Sequence, residues 1–179
     1  MIIRCIPMSK WCFPIIFAAF SFPLNGQNGL DTLGAFIQAP TTEGPERFMA
    51  LLHLSESWIL RNLDSAQYFV DQLYVESQGH PHFHGLALLQ RAQINRLEQR
   101  LDQAFLDAEE GLALFKEKGD LAGTAQALEV LGNLYWDRGE EQDSRIFLRE
   151  SIAIKEELGD QKGVASTLIS MGLQHIQQN

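Results

Sequence analysis

Three histidines at alternate positions, His80-Pro81-His82-Phe83-His84, form the densest set of potential metal ligands in this 179-residue chain. On extended backbone, imidazoles two residues apart share one side and could hold zinc, copper or nickel. The ligand set is incomplete. No carboxylate lies within the run, and both cysteines, Cys5 and Cys12, stand near the N-terminus. The segment also falls between two helical patterns, where Pro81 suits a first helical turn and His80 takes a capping position. The expectation is therefore ordinary exposed turn histidines and no metal site. His53 and His175 are isolated and are read as packing or solvent-facing. Paired carboxylates at Glu109-Glu110, Glu140-Glu141 and Glu156-Glu157 invite an acid–base reading. Adjacent residues on a helix point about 100° apart, so neither pair member can flank a bond held by the other. No glycine-rich phosphate loop, nucleophile elbow or zinc-protease helix motif occurs. The sequence predicts no catalytic residue, no cofactor and no enzyme activity for this chain.

The elements that carry these residues repeat. Gly119-Asp120 returns as Gly159-Asp160, Gly123 as Gly163, and Leu131-Gly132 as Met171-Gly172, each 40 positions later. Arg100-Leu101-Asp102-Gln103-Ala104 echoes Asn62-Leu63-Asp64-Ser65-Ala66 at a spacing of 38. Such periods signal arrays of supersecondary units. Each unit holds two amphipathic helical patterns. In one, Leu128, Leu131, Leu134 and Tyr135 share a face, and Gly139 ends the pattern. In the next, Ile146, Phe147, Ile152, Ile154 and Leu158 are the apolar set. Gly159 suits a left-handed C-cap, and Asp160 suits the N-cap of the helix after it. The first unit divides around Arg61-Asn62, and Pro45 suits its start. Small residues recur at matching places: Ala92, Gly132 and Gly172 within first helices, Ala66, Ala104 and Ser144 opening second helices. A glycine inside a helix costs about 1 kcal/mol, so Gly132 implies a close backbone approach.

The stretch Leu131-Gly132-Asn133-Leu134-Tyr135-Trp136-Asp137-Arg138-Gly139 resembles the first-helix signature of tetratricopeptide repeats. Ile152-Ala153-Ile154-Lys155-Glu156-Glu157-Leu158-Gly159-Asp160, followed by Gly163, resembles the longer variety common in bacterial signalling proteins. The likeness covers about residues 46–179. Leu54 and Ser57 depart from the usual Gly and Tyr in the first unit, and Asn95 from that Tyr in the second. The resemblance implies an all-α fold, an α-solenoid of antiparallel helix pairs wound as a right-handed superhelix. Its units are expected at about 46–84, 85–123 and 124–163, with a lone helix over 164–179 whose apolar pattern begins by Gln161. Gln174, Gln177, Gln178 and Asn179 fit a polar cap. Gly172, however, stands where a second helix would pack closely, and none follows.

The resemblance also implies a concave groove lined by first helices. Carried over position by position, it selects Phe48, Leu51, Ser55, Trp58 and Ile59, then Leu86, Leu89, Gln93, Arg96 and Leu97. From the third unit it selects Gln126, Glu129, Asn133, Trp136 and Asp137. Trp58 and Trp136 are candidate aromatic anchors, and Asn133 a candidate grip on a peptide backbone. The apolar members could equally pack between repeats. Chaperone-type relatives clamp a terminal carboxylate through a lysine. Here Leu51, Leu89 and Glu129 hold the corresponding places, which points instead to a protein or peptide with apolar and basic character.

Residues 1–27 read differently from the rest. Arg4 and Lys10 precede an apolar run from Trp11 to Leu24 that contains Pro14 and Pro23, with no acid before Asp31. That is the layout of a secretory signal peptide, cut near Gly26 or Gln27, with Met8 an alternative start. The run is shorter than the about 20 apolar residues of a spanning helix, so no stable membrane span is expected after its removal. Cleavage would remove both cysteines. Residues 28–45 are expected to be a linker with a short helix. With 14 Lys+Arg against 23 Asp+Glu and a net charge of −9, nothing neutralises phosphates, which disfavours nucleic acid as a partner. The sequence thus points to an exported, periplasmic or secreted, non-catalytic interaction scaffold. The competing expectation is the N-terminal sensor part of a longer bacterial signalling protein, such as a membrane sensor histidine kinase.

Overall fold

Proline and short polar side chains mark where the helices begin. The computed structural model describes residues 44–177, which are all-helical, with no strand among them. The helices are α1 Pro45–Ile59, α2 Leu63–Glu76, α3 Pro81–Leu97, α4 Leu101–Lys118, α5 Leu121–Asp137, α6 Glu141–Glu157 and α7 Gln161–Gln177. The leader at 1–27, with Cys5 and Cys12, and nearly all of the 28–45 linker lie outside the described residues. Pro45 itself opens α1, and α7 starts inside the span expected for the third unit. Pro45 and Pro81 sit in first turns, where their missing N–H leaves no bond unmade. Asn62 Oδ1 accepts from the Ser65 N–H at 2.8 Å. Asp120 and Asp160 accept from Gly123 and Gly163, each at 2.9 Å. Each cap satisfies an orphan donor and contributes about 1 kcal/mol.

His80 departs from that pattern. It holds the N-cap position of α3, yet its side chain makes no capping bond. The ring instead meets Phe48 of α1 edge-on, with centroids 5.0 Å apart. The expected substitution of His80 for a capping Asp is thus a substitution of place, not of role.

Helix ends show one informative exception. Gly139 reverses the chain after α5 with φ 82°, and Gln99 does the same after α3 with φ 61°. The two are 40 positions apart. A left-handed φ is free for glycine but crowds the Cβ of any other residue.

Each helix packs on the next, and α1 also touches α3, as α3 touches α5. Helices α1, α3 and α5 therefore lie side by side. Most of the core is one cluster, including Phe48, Leu51, Leu54, Leu89, Phe105, Phe115 and Leu134. Small residues sit at the tightest crossings. Ala66, Ala92, Ala104 and Ser144 are fully buried. A Cβ added at Gly132 would lie 2.6 Å from Leu148 Cγ and 3.3 Å from the Ser144 carbonyl oxygen, so α5 and α6 meet backbone to side chain there. The ring of Phe115 fills the space between the starts of α3 and α5, within 2.5 Å and 2.2 Å of where Cβ atoms at Gly85 and Gly123 would stand.

Candidate protein-binding surface

The face shared by α1, α3 and α5 holds the residues selected for a groove, but at different depths. Phe48, Leu51, Ser55, Leu86 and Leu89 are buried. Phe48, Leu51 and Leu89 belong to the main core cluster, so they pack between neighbouring helices and present no open surface. Ser55 turns its hydroxyl onto the Leu52 carbonyl at 2.7 Å. Trp58, Ile59, Gln93, Arg96, Glu129, Asn133 and Trp136 are half-buried, and Leu97, Gln126 and Asp137 are exposed. The reachable part of the face therefore lies toward the C-terminal ends of α1 and α3 and along α5.

Within that part, Trp58, Arg96 and Trp136 occupy the same register on α1, α3 and α5, at spacings of 38 and 40 residues. Trp58 leans on a small cluster of Ala66, Val70 and Ile94. Arg96 Nη1 donates to Asp137 Oδ2 at 2.9 Å across α3 and α5. The row thus alternates aromatic, cation and aromatic, with its cation held by a neighbouring acid.

The α5 residues are tied to the two helices after it. Glu129 pairs with Lys155 of α6, and Lys155 Nζ also donates to Thr167 Oγ1 of α7 at 2.8 Å. Lys155 is buried, so one ammonium joins three helices. Asn133 Oδ1 accepts from Gln174 Nε2 at 3.0 Å. Glu129 and Asn133 therefore reach a ligand only in competition with these bonds.

Two features of the face are not evident from the sequence pattern. Gln90 of α3 donates through Nε2 to Glu56 of α1 at 3.2 Å. Its Oε1 is buried without a hydrogen-bond partner among the described residues. The signal was present: Gln90 stands 40 positions before Val130, a buried apolar residue, and an amide in such a place asks for a polar neighbour.

The histidines do not converge. They lie on the start of a helix, not on extended backbone, so successive even positions splay apart. His80 meets Phe48. The His82 Nδ1 lies 2.5 Å from Asp120 Oδ2. The His84 ring lies tilted against Tyr74, with centroids 4.6 Å apart, and reaches the Ser77 hydroxyl at 3.5 Å. His84 is half-buried, not an exposed turn residue. Burial pushes the Asp120 carboxyl up, but the N–H groups of Gly123 and Ala122 and the His82 ring outweigh it and hold it below the ordinary carboxylate value. His53 is raised by its bond to Glu56, against the opposing effect of burial. The side chain of His175 lies outside the described residues.

Among the described residues, no group of three or more His, Cys, Asp and Glu is placed to hold a metal ion. No described helix is long and apolar enough to cross a membrane. No family model matches the chain, and no curated protein matches it.

Proposed function

We propose that the chain is an α-solenoid of antiparallel, tetratricopeptide-like helix pairs that binds a protein or peptide through the face of α1, α3 and α5. The observation that carries this reading is the register row Trp58–Arg96–Trp136 on three helices that lie side by side. Half-buried tryptophans keep an apolar face available while their attachment stays rigid, the usual property of binding anchors. Gln93 and Gln126 add amides able to pair with an extended backbone. The role is binding and not catalysis. Two of the histidines that first suggested chemistry are engaged in internal contacts, His82 with Asp120 and His84 with Tyr74. An acidic chain whose reachable face carries Trp58 and Trp136 suits a ligand of apolar and basic character. The basic start and apolar run of the first 27 residues support export, with the array as the mature part.

Capture from an extract of the source cells tests the groove. Wild-type protein should retain partners that a Trp136→Ala, Arg96→Glu variant loses, while circular dichroism shows both equally helical. Partners retained unchanged would remove these residues from the site. N-terminal sequencing of the protein recovered outside the cytoplasm should begin near residue 28. An intact Met1 or Met8 end would refute export by cleavage.

A further inference from the structure

The outer face of α7 carries the same residues that α5 buries. Ala125, Leu128 and Gly132 of α5 are matched 40 positions on by Ala165, Leu168 and Gly172 of α7. In α5 these positions are sealed by α6. Ser151 Oγ donates to the Ala125 carbonyl at 2.7 Å, Leu128 is fully buried, and Leu148 fills the notch at Gly132. In α7 the matching Leu168 is open, 53% exposed, and beside it Ile169 and Leu173 are 63% and 57% exposed. A Cβ built at Gly172 would meet nothing within 4 Å. The opposite face of α7 is engaged, with Thr167 buried and Gln174 bonded to Asn133. The helix is thus anchored on one side and apolar on the other, at spacings of three and four residues that form one continuous stripe.

We infer that this stripe pairs with the α7 of a second copy of the chain, antiparallel across a two-fold axis. Two observations select a second copy over other occupants. The first is shape. Leu168 is a knob and Gly172 a notch, one helical turn apart on the same face. A two-fold places Leu168 of each copy in the Gly172 notch of the other, because in such an interface a contact between two positions occurs twice. Each contact reproduces the packing of Leu148 on Gly132 within the chain. The second observation is charge. The chain carries 23 acidic residues and a net charge of −9, yet residues 161–179 contain no acid. Elsewhere, the charged surfaces of two copies would repel. Along α7 they meet without opposing carboxylates.

One helix pair buries less than the roughly 1,200–2,000 Å² of a stable interface, so the dimer forms reversibly with concentration. Sedimentation velocity on the full chain reads it directly. The weight-average mass should rise with concentration from 20.2 kDa toward twice that value. Leu168→Glu should weaken association about 30-fold or more, as loss of a central anchor does, with helicity unchanged. Gly172→Leu, which fills the notch, should weaken it as well. Leu168→Lys alone should also be monomeric, and mixing it equally with Leu168→Glu should restore a heterodimer, because the two positions stand about one helical turn apart across the axis, within reach of long charged side chains. A chain that stays monomeric overturns the proposal and leaves the stripe to another protein or a further helix. Association that survives Leu168→Glu overturns it too, placing the contact elsewhere in the chain.

Discussion

Arg91 of α3 grips Asp107 of α4 through two parallel bonds, Nε to Oδ2 at 3.0 Å and Nη2 to Oδ1 at 2.8 Å. Asp107 is only 1% exposed. Its oxygens also accept from Asn95 Nδ2 at 2.8 Å and Gln103 Nε2 at 3.1 Å. The guanidinium of Arg91 lies 4.2 Å above the Tyr74 ring, which extends the network to α2. Each carboxylate oxygen thus accepts two hydrogen bonds, which satisfies the acid in its buried place.

Asp107→Ala should therefore destabilise the array by about 3–5 kcal/mol, because it leaves the partly buried Arg91 uncompensated. Urea unfolding followed by circular dichroism would measure the loss. An exposed acid on the same helix, Glu109→Ala, serves as the control and should change stability by less than about 0.5 kcal/mol. Equal effects would mean that the network contributes nothing specific.

The pairing of Asp120 with Gly123 and His82 predicts an acid limb in the stability curve. The native carboxyl titrates below its ordinary value, so the folded state holds the charged form more tightly than the unfolded chain does. The contribution is then complete above the unfolded value of about 3.9. It is lost as the pH falls through the lower native value. Asp120→Asn keeps a capping oxygen but cannot titrate. The difference in melting temperature between wild type and this variant should be constant from pH 6 down to about 4 and shrink below it. A difference that does not change with pH would show that the charge on Asp120 is not what stabilises the native state.

Much of the framework was readable because the repeat places the same chemistry at the same position several times. Pro45, Pro81 and Asp160 start helices as their residue types require, and Gly132 marks a close approach for the reason its helix cost suggested. Depth was not readable in the same way. Periodicity identifies which face of a helix Leu51 and Leu89 occupy, but whether that face is open depends on how near the neighbouring helix stands. Asp107 shows the same limit. Between Leu106 and Ala108 it reads as a solvated acid, and its partners Arg91 and Asn95 come from the preceding helix. His80 shows that shared position does not ensure shared role, since its ring finds better cover against Phe48 than over the end of α3.

The turn after α3 predicts a stabilising substitution. Gln99 adopts a positive φ, as Gly139 does at the equivalent turn, and a residue other than glycine is strained there by about 1–2 kcal/mol. Part of that relief is offset by the greater freedom of glycine in the unfolded chain. Gln99→Gly should therefore raise stability by about 0.5–1 kcal/mol, read as a higher urea midpoint with an unchanged slope. The side chain of Gln99 is exposed and bonds only weakly, at 3.4 Å, to the Arg96 carbonyl, so its removal takes little away. A lower midpoint would show that this contact outweighs the backbone strain.

The same substitution at two equivalent glycines should have opposite signs. Gly132→Ala gains about 1 kcal/mol of helix propensity, but its Cβ would meet Leu148 Cγ at 2.6 Å, a branch point close to the backbone and not a flexible tip. Moving that side chain disturbs a packed crossing and costs about 1–3 kcal/mol, so the net effect is destabilising by about 1 kcal/mol. Gly172→Ala gains the same propensity and meets nothing within 4 Å, so the monomer should be stabilised by about 0.5–1 kcal/mol. Thermal melts of both variants, at concentrations too low for chains to associate, would compare them directly. Destabilisation at both would mean that the α7 stripe is covered within the single chain, and stabilisation at both that Leu148 yields to a Cβ at Gly132.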